Sequence, residues 1–267
     1  MVDGGTDAPT VSVVTISYRD LDGLRATLES TRTQRYPRVE HIVIDGGSGA
    51  SVVEFLAEAG IAYWQSESDG GRYDAMNQGI GHASGDLIWF LHSSDRFADE
   101  DVVGRAVAAL AHNDTDVRRT WGFGGATLVT DGGRTGRYWG YRRFHRRRFE
   151  FGVAPIPHQA AVFGAEIVSA VGGYSTTFGL AADHLFMLQA ARRAEPVVIA
   201  GSLCLFDTSG AGSVRPQREH FRDIRAAWSV AESRSAASRR LFTAMSYIVE
   251  AEAAAKRHLR GVLGRAR

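Results

Sequence analysis

The segment from residue 66 to residue 95 carries the residue types that bind a charged ligand. It reads SESDGGRYDAMNQGIGHASGDLIWFLHSSD and ends on the carboxylate of Asp95. The apolar run Leu87–Leu91 is typical of a buried strand, so Asp95 is predicted to lie just past the carboxyl end of that strand. In open α/β sheets, ligands bind outside those strand ends, and a carboxylate there can hold a divalent cation that holds phosphate oxygens. The alternative is a helix N-cap, since an acid also suits the start of the helical run that follows.

Three more polar side chains of this region could contact a nucleotide. Asp45 precedes two glycines, so it either forms a turn or accepts a hydrogen bond from a nucleobase or ribose. Arg72 follows two glycines that let the backbone approach a ligand, and its guanidinium either pairs with a diphosphate or lies in solvent. Asn77 is a poor helix former in the middle of a predicted helix, which favours a buried hydrogen-bonding role.

The elements that must position these residues alternate regularly. Strands are predicted at Val11–Ser17, Val39–Ile44, Ile61–Gln65 and Leu87–Leu91. Helices are predicted between them at Leu21–Gln34, Ser51–Ala59 and Tyr73–Ala83. Such alternation implies right-handed βαβ units and a parallel sheet covered by helices on both faces, so the predicted fold class is α/β.

The pattern changes after a helix near residues 101–112. Segments 121–130 and 133–139 flank Asp131-Gly132, which is typical of a hairpin. Further elements are a strand at 159–163, a helix at 182–193, a strand at 196–206 and a helical run at 217–260. We therefore predict one domain over residues 1–214, with a nucleotide-type half (1–98) and a second half (99–214), followed by a helical C-terminal extension (215–267).

Composition excludes several classes of function. The net charge of +1 argues against a nucleic-acid binder. Cys204 is the only cysteine, which rules out an intrachain disulfide and a cysteine-rich zinc site. No segment approaches the roughly 20 apolar residues of a membrane-spanning helix, and the polar N-terminus does not resemble a signal peptide. We therefore expect a cytoplasmic protein.

Two basic segments leave alternatives open. Residues 142–148 hold five arginines among aromatic side chains, and they form either a solvated loop or a contact for an acceptor or for anionic lipid headgroups. The C-terminal extension carries Leu241, Met245, Ile248 and Val249 near helical apolar spacing, ahead of a basic end. That helix either contacts the inner face of the plasma membrane, packs on the core, or joins a homo-oligomer.

Three blocks of sequence together resemble the family 2 glycosyltransferases of the GT-A fold. They are VSVVTISYRD, TLESTRTQRYPRVEHIVIDGGS and ESDGGRYDAMNQGIGHASGDLIWFLHSSD. The sequence is most similar to the bacterial subgroup with a D-x-G-x-Y-D-A-M-N motif, whose members elongate surface glycans or glycolipids. The resemblance covers most of residues 10–213, and it implies a Rossmann-like, mostly parallel mixed sheet flanked by helices.

The resemblance implies a nucleotide-diphosphate-sugar donor, with UDP, dTDP or GDP as the carrier, and inversion at the anomeric carbon. The implied donor contacts are Thr15, Ser17, Tyr18, Asp45, Asp69, Arg72, Asn77, Ser94 and Asp95. Within this set, Asp45 is expected to meet the base, and Asp69, Arg72 and Asn77 to lie near the ribose and diphosphate.

Two motifs of the second half also match the family. His158 and Gln159 resemble the subgroup's H-Q-A segment, which implies contact with the diphosphate, the metal or the acceptor; a packed or capping histidine is the alternative. Asp183 occupies the family's general-base position, which implies that it takes a proton from the acceptor hydroxyl. A helix N-cap is the alternative for Asp183. Residues 207–213 resemble a glycine-rich loop that closes over the diphosphate.

The metal motif departs from the family pattern. The family typically places two adjacent acids after a strand, whereas the run His92-Ser93-Ser94-Asp95 keeps only the last acid. One carboxylate together with diphosphate oxygens can still hold Mg²⁺ or Mn²⁺. We therefore expect a weakly bound divalent cation with Asp95 as its ligand, and metal-independent transfer as the alternative.

The resemblance therefore predicts an inverting glycosyltransferase that acts on a hydroxyl of a glycan or glycolipid in cell-envelope glycan synthesis. The thinned metal motif leaves a second class open, a nucleotide-sugar-binding protein without turnover. A nucleotidyltransferase is the third class, but it would need a basic, glycine-rich loop after the first strand, and TISYRDLDG has one arginine and one glycine.

Overall fold

The computed structural model describes residues 8–112, 116–130, 134–208, 217–231 and 236–264. The strands are β1 Val11–Ser17, β2 Val39–Asp45, β3 Tyr63–Ser66, β4 Leu87–Phe90, β5 Arg96–Phe97, β6 Trp121–Thr130, β7 Arg134–Trp139, β8 Ala161–Gly164 and β9 Val197–Asp207. The α-helices are α1 Leu21–Arg32, α2 Ala50–Glu58, α3 Arg72–His82, α4 Val102–Leu110, α5 Arg146–Glu150, α6 Ala165–Val171, α7 Ala182–Arg193, α8 Gln217–Ala231 and α9 Ala236–Gly264.

The first half of the chain forms the predicted parallel sheet. Strands β3, β2, β1 and β4 lie side by side in that order, and each neighbouring pair is parallel. Every residue of β1 is buried, as expected for a strand covered on both faces. Because the four strands point the same way, their carboxyl ends meet at one edge of the sheet. The polar segments identified from the sequence emerge at that edge.

The second half extends the same sheet. Strand β8 pairs antiparallel with β4, and β6 lies between β8 and β9. The short β5 pairs with β9, and β7 pairs with β6. Within the described residues, the two halves therefore share one nine-stranded mixed sheet. This sheet and the helices that flank it confirm the predicted mixed-sheet architecture.

Apolar packing on both faces holds this sheet. Successive residues of β4 point to opposite faces: Ile88 and Phe90 join one buried cluster, and Leu87 and Trp89 join the other. The first cluster includes side chains of α3 and α7, and the second includes side chains of α4. Full burial of each such side chain contributes about 1.5–3 kcal/mol, so β4 is a firm base for the turn that follows it.

The structure corrects the N-cap alternative for Asp95. The chain enters β5 at Arg96, and α4 begins only at Val102. Asp95 therefore caps no helix, and its burial needs another explanation.

Two predicted segments cannot be compared with the structure. The hairpin turn at Asp131-Gly132 and the glycines of the closing loop lie outside the described residues.

The arginine-rich segment is not entirely a loop. Residues Arg146–Glu150 form α5, in which Phe149 is buried and packs 4.6 Å from the His184 ring, centroid to centroid. Arg146 donates to the Ala191 carbonyl of α7 at 2.6 Å. The buried aromatic side chain and this hydrogen bond attach the segment to the body of the protein.

The C-terminal extension packs onto the second half. Helix α8 lies against α7, and α9 lies against α8. Phe242 of α9 stacks on Trp228 of α8 at 3.6 Å and on Phe151 at 4.5 Å between ring centroids. Arg225 and Glu250 form a largely buried ion pair at 2.8 Å between the two helices.

The outer face of α9 does not pack on the core, which was one of the roles predicted for this helix. Leu241, Met245 and Ile248 are 63%, 43% and 60% exposed, so the core-packing alternative is wrong for these three side chains. A second copy of the chain or a membrane surface are the alternatives that still apply. No helix in the described part of the chain has both the length and the apolar character needed to cross a membrane.

Candidate active site

One crevice opens at the carboxyl edge of the parallel strands. Its volume is about 1360 Å³. Segments that follow β1, β2 and β4 form one wall, and the first turns of α3 and α7 contribute to the rest. Ligands of open α/β proteins bind at this edge, and their sites typically measure roughly 300–1,000 Å³. The crevice is therefore large enough for more than one substrate.

Most of the predicted site residues line this crevice, although they are far apart in the sequence. They are Ser17, Tyr18, Asp69, Arg72, Ser94, Asp95, His158, Gln159 and Asp183. Three others, Thr15, Asp45 and Asn77, lie behind the wall, where their side chains bind other parts of the protein.

Asp95 is fixed by contacts from both halves of the chain. Its N–H donates to the His92 carbonyl at 3.0 Å, which closes a tight turn after β4. The Thr27 hydroxyl of α1 donates to the Asp95 carbonyl at 2.7 Å. The Asp207 N–H, at the end of β9, donates to Asp95 Oδ1 at 2.9 Å. The carboxylate is thus held where β4 and β9 end, and the residue is only 4% exposed.

The surroundings of Asp95 disfavour its charged form. Burial raises the pKa of Asp95 to about 8, and the nearby Asp207 carboxylate adds to this rise. Hydrogen bonds from the Asp207 backbone and the Gln159 side chain, and the Arg72 charge, act in the opposite direction. A cation bound beside such an acid would stabilise the carboxylate.

The donor set fits a cation that takes most of its ligands from a bound diphosphate. Asp95 supplies one carboxylate, and Asp207 lies beside it at the crevice. Among the residues that the structure describes, no group of three or more His, Cys, Asp or Glu side chains is placed to hold a metal. Mg²⁺ often binds through one or two carboxylates together with substrate phosphates, which is the arrangement that these residues allow.

Ser94 has a strained backbone that Asp20 stabilises. Its φ of 73° is uncommon for a residue with a side chain. Ser94 Oγ donates to Asp20 Oδ2 at 2.9 Å, and Asp20 Oδ1 caps α1 by accepting from the Gly23 N–H at 3.0 Å. A Cβ on Gly23 would lie only 2.1 Å from Ser94 Oγ. Asp20 therefore ties the start of α1 to the turn before Asp95. We did not predict this role, although an aspartate ahead of a helical run is an N-cap signal.

The amino end of α3 supplies a positive environment. Gly71 begins the helix with a φ of 100°, which suits glycine, and its N–H donates to Asp69 Oδ1 at 2.7 Å. Arg72 follows and faces the crevice. Burial lowers the pKa of His92 and of His158, and the Arg72 charge lowers both further. A helix amino end with an arginine beside it favours a bound anion.

Tyr18 and Asp69 both lie close to Gly46. A Cβ on Gly46 would lie 3.1 Å from an atom of each residue. Tyr18 is 58% exposed, and it lines the crevice at the end of β1. Its ring therefore offers an aromatic surface on which a planar base can pack.

Asp45 makes its contacts within the loops around it. The residue is fully buried at the end of β2. Its Oδ2 accepts from the Ser48 N–H at 2.8 Å and from the Ser66 hydroxyl at 2.7 Å, and its Oδ1 accepts from the Ser48 hydroxyl. These bonds match the turn interpretation, and contact with a base stays a prediction.

Thr15 and Asn77 likewise bind protein. Thr15 Oγ1 lies 2.8 Å from His41 Nε2 inside the sheet. Asn77 Nδ2 donates to the Tyr174 carbonyl at 2.8 Å, and its Oδ1 accepts from the Tyr174 N–H at 2.7 Å. Asn77 thus has the hydrogen-bonding role expected of a polar residue in mid-helix. A donor could reach only the second N–H and the second oxygen lone pair of this amide while these two bonds are kept.

Asp183 is the second residue of α7. The N-cap position is Ala181, so the N-cap alternative for Asp183 is wrong. Its Oδ1 and the Tyr73 hydroxyl oxygen are both buried, and neither is hydrogen-bonded to a third group in the described residues. Burial raises the pKa of Tyr73, the negative charge of Asp183 raises it further, and the two side chains lie within hydrogen-bonding range of each other. A carboxylate that lines a crevice can take a proton from a hydroxyl bound beside it.

His92 and His158 each keep one ring nitrogen without a partner. His158 Nε2 lies 2.7 Å from the Tyr174 hydroxyl, and His92 Nδ1 lies 3.4 Å from Gln159 Nε2. Within the described residues, His158 Nδ1 and His92 Nε2 have no hydrogen-bond partner. The ring centroids are 6.0 Å apart. His158 is thus packed, as one alternative held, yet it retains a polar atom for a ligand.

The crevice continues into a region that we did not predict. This aromatic lobe consists of Leu128, Trp139, Tyr141, Ile156, Met187 and Ile224. Ile224 belongs to α8, so the C-terminal extension contributes to the crevice wall. Apolar residues in a sequence are typical of any core, and no motif marks these six as part of a site.

Comparison with known proteins identifies the family. The model of glycosyl transferase family 2 matches residues 12–168. The chain belongs to this family. It is therefore a glycosyltransferase, and the two other classes considered from the sequence are set aside.

Relatives of this glycosyltransferase occur in mycobacteria. An uncharacterized glycosyltransferase of Mycobacterium tuberculosis strain H37Rv is 56% identical over 223 residues, which cover 82% of this chain and 83% of the relative. A PGL/p-HBAD biosynthesis glycosyltransferase of the same strain is 25% identical over 190 residues, covering 68% of this chain and 70% of the relative.

Solved structures confirm the GT-A fold of this glycosyltransferase. TarS of S. aureus in complex with UDP-GlcNAc aligns with a TM-score of 0.64 at 15% identity, covering 89% of this chain and 71% of TarS. A mannosyltransferase of Pyrobaculum calidifontis in complex with GDP-Man and Mn²⁺ aligns with a TM-score of 0.62 at 18% identity, covering 91% of this chain and 70% of that enzyme.

Proposed function

We propose that this glycosyltransferase moves a sugar from a nucleotide-diphosphate-sugar donor to a hydroxyl of a glycan or glycolipid, with inversion at the anomeric carbon. The observation that carries the proposal is that Arg72, Asp95 and Asp183 line one crevice. Their roles would be to bind the diphosphate, to hold its cation and to accept the acceptor proton.

The donor would occupy the end of the crevice at β1, β2 and β4. Tyr18 offers an aromatic face to the base, and Arg72 with the amino end of α3 offers positive charge to the diphosphate. His158 Nδ1 and His92 Nε2 are further polar atoms that a phosphate oxygen could meet. The donors of the two structural neighbours, UDP-GlcNAc and GDP-Man, are of this chemical class.

The cation of the proposal would be held by Asp95. Asp207 is the second acid beside this position, and its negative charge raises the pKa of Asp95. A divalent ion there would neutralise the negative charge that develops on the leaving diphosphate. One neighbour was solved with Mn²⁺, which supports the choice of ion for the first tests.

The chemistry would be a single displacement. The acceptor oxygen forms a bond to the anomeric carbon while the bond from that carbon to the diphosphate oxygen breaks. The acceptor proton passes to the Asp183 carboxylate, which lines the crevice beside Tyr73. Because the oxygen attacks opposite the leaving group, the anomeric configuration inverts. A positioned base of this kind typically contributes about 10²–10⁴-fold in rate.

The experiment is a donor screen on the purified full chain. Thermal unfolding would be followed with UDP-, dTDP- and GDP-sugars, each with Mn²⁺ or with EDTA, because a ligand that binds the native state raises the apparent stability. Donors that bind would then be assayed chromatographically for release of the nucleoside diphosphate. We expect at least one nucleotide sugar to stabilise the protein and to be turned over. Failure of all of them to bind would overturn the proposal.

A further inference from the structure

The two ends of the crevice differ in chemistry. The end at the parallel strands presents Arg72, Asp95 and two histidines, whereas the six side chains of the aromatic lobe are apolar apart from the Trp139 N–H and the Tyr141 hydroxyl; Arg137 and His220 also line the crevice. The lobe is built from β6, β7, α7, α8 and the loops next to them. It is continuous with the part of the crevice at Asp183, since Met187 lies one helical turn after Asp183 on α7.

The lobe has a fixed aromatic wall. Trp139 Nε1 donates to the Pro155 carbonyl at 3.1 Å, and its ring packs edge-to-face against Phe206 at 6.1 Å. The polar atom of the indole is thus already bound, and the part of the ring that faces the crevice is apolar. Tyr141, two residues further along the chain, is half-buried, and burial raises the pKa of its phenol.

Aliphatic side chains form the rest of the lobe. Ile156, Met187 and Ile224 are almost fully buried and carry no hydrogen-bond donor and no strong acceptor, so a sugar ring packed on them would lose water without replacement partners for its hydroxyls. An alkyl or aryl group placed there would instead leave water favourably. The His220 side chain at the edge of the lobe is 3.3 Å from the Gly152 carbonyl, so its Nε2 is already engaged.

The geometry points to an acceptor that carries an alkyl or aryl aglycone. The reacting sugar hydroxyl would lie at Asp183, and the aglycone would lie in the aromatic lobe against Trp139. This inference rests on the proposed function, because Asp183 defines where the reacting hydroxyl lies. It narrows the acceptor from any glycan or glycolipid to a sugar joined to an apolar group close to the reacting ring.

The test uses pairs of glycosides that differ only in the aglycone. Binding of n-hexyl and methyl β-D-glucoside to the full chain would be measured by saturation-transfer difference NMR, below the critical micelle concentration. The pair would be repeated with the mannosides and galactosides, so that the result does not depend on the sugar. We expect the hexyl glycoside of at least one pair to bind about tenfold or more tightly, with the largest saturation on its alkyl protons.

Variants of β7 locate the effect. Trp139→Ala should reduce the hexyl preference to near parity, whereas Trp139→Phe, which keeps an aromatic ring, should retain most of it. Tyr138→Ala is the matched control: Tyr138 is adjacent, is 51% exposed and points to the opposite side of the strand, so its loss should leave the preference unchanged. Equal affinity of hexyl and methyl glycosides in every pair would overturn the inference, and so would a preference that survives Trp139→Ala.

Nucleotide binding on the same samples separates the two claims. UDP, dTDP and GDP with Mn²⁺ would be titrated in parallel. If a nucleotide binds but no hexyl preference appears, the aglycone inference fails and the proposed function stands. If none of the three nucleotides binds, the proposed function fails, and a Trp139-dependent hexyl preference would still support the apolar lobe.

Discussion

The side chain of Asn77 binds both backbone polar atoms of Tyr174. Its Nδ2 donates to the carbonyl at 2.8 Å, and its Oδ1 accepts from the N–H at 2.7 Å. Asn77 belongs to α3, in the first half, and Tyr174 follows α6, in the second half. The Tyr174 hydroxyl in turn lies 2.7 Å from His158 Nε2. One amide therefore links α3, at the proposed donor end of the crevice, to the residues near Asp183.

Asn77→Ala should uncouple the two halves of the site. Two hydrogen bonds to a buried residue would be lost, and backbone groups of Tyr174 would be left unpaired, which we expect to lower the unfolding free energy by about 2–4 kcal/mol. Turnover should fall because His158 loses its support, whereas donor affinity should change little. Urea denaturation and nucleotide titration measure the two effects.

Gln78→Ala is the control for this variant, since it changes the next residue of the same helix without touching Tyr174. A large loss of donor affinity in Asn77→Ala, with stability unchanged, would instead support the direct donor contact predicted from the sequence.

Asp95→Asn tests the proposed cation ligand. The variant keeps the shape of the side chain and an oxygen that can accept from the Asp207 N–H, so the turn should fold normally. In the wild type we expect nucleotide to bind more tightly with Mn²⁺ than with EDTA, and in the variant this difference should disappear. Asp22→Asn, an exposed acid of α1, is the control. Equal nucleotide affinity in Mn²⁺ and in EDTA for the wild type would rule out a metal role.

Stability should fall in mild acid because two buried histidines stay neutral in the fold. Burial lowers the pKa of His41 to about 3 and that of His184 to about 3. Below a pH of about 6.5, the ordinary histidine pKa, the unfolded chain binds these protons and the native protein does not, so the unfolding free energy drops as the pH falls towards 3. Each histidine should contribute about 1.4 kcal/mol per pH unit.

His41→Gln should reduce this pH dependence. Glutamine can still hydrogen-bond to Thr15, the partner of His41, but does not titrate. Urea denaturation between pH 5 and pH 7 should show a slope smaller by about 1 kcal/mol per pH unit than in the wild type. An identical slope in His41→Gln and the wild type would contradict the assignment.

The exposed arginines near α5 should bind anionic lipid. Arg142, Arg143, Arg147 and Arg148 all face solvent. Each basic residue near an anionic membrane contributes about 1 kcal/mol, so Arg142→Gln with Arg143→Gln should weaken binding to phosphatidylglycerol vesicles about tenfold or more in a co-sedimentation assay. Arg35→Gln, which removes an arginine paired with Glu100 and Asp101, should have no effect. Equal pelleting of all three proteins would exclude this contact.

The exposed stripe on α9 can be tested in the same assay. Combined Leu241→Gln, Met245→Gln and Ile248→Gln should lower vesicle binding if the stripe inserts into the lipid surface. If vesicle binding is unchanged and the sedimentation coefficient of the free protein falls instead, the stripe joins two copies of the chain.

The helices and strands of the first half could be predicted from the sequence because short runs of neighbouring residues determine them. Strand β1 spans the predicted Val11–Ser17, and β4 begins at the predicted Leu87, because apolar runs between turn residues have few other stable structures. The ends of α1, α2 and α3 differ from the predictions by one or two residues, since caps and final turns decide them. Placement of Asp95 after β4 followed directly from the strand.

Contacts between distant segments could not be predicted. The bond from Asp207 to Asp95 joins residues 112 positions apart, and the clamp of Asn77 on Tyr174 joins residues 97 apart. The sequence gives no spacing rule for such pairs. The partners of Asp45 show the same limit: Ser48 and Ser66 reach its carboxylate only once the loops around it have folded.

The most direct test of the account is the stereochemical and kinetic behaviour of Asp183→Asn. With a donor that binds, ¹H NMR of the wild-type product should show the anomeric configuration opposite to that of the donor. The variant should lose about 10²–10⁴-fold in transfer rate while binding the nucleotide sugar as tightly as the wild type. Glu195→Gln, an exposed carboxylate just beyond the same helix, should transfer normally. A fully active Asp183→Asn enzyme, or a product with retained configuration, would contradict the assignment of Asp183 as the base of an inverting transfer.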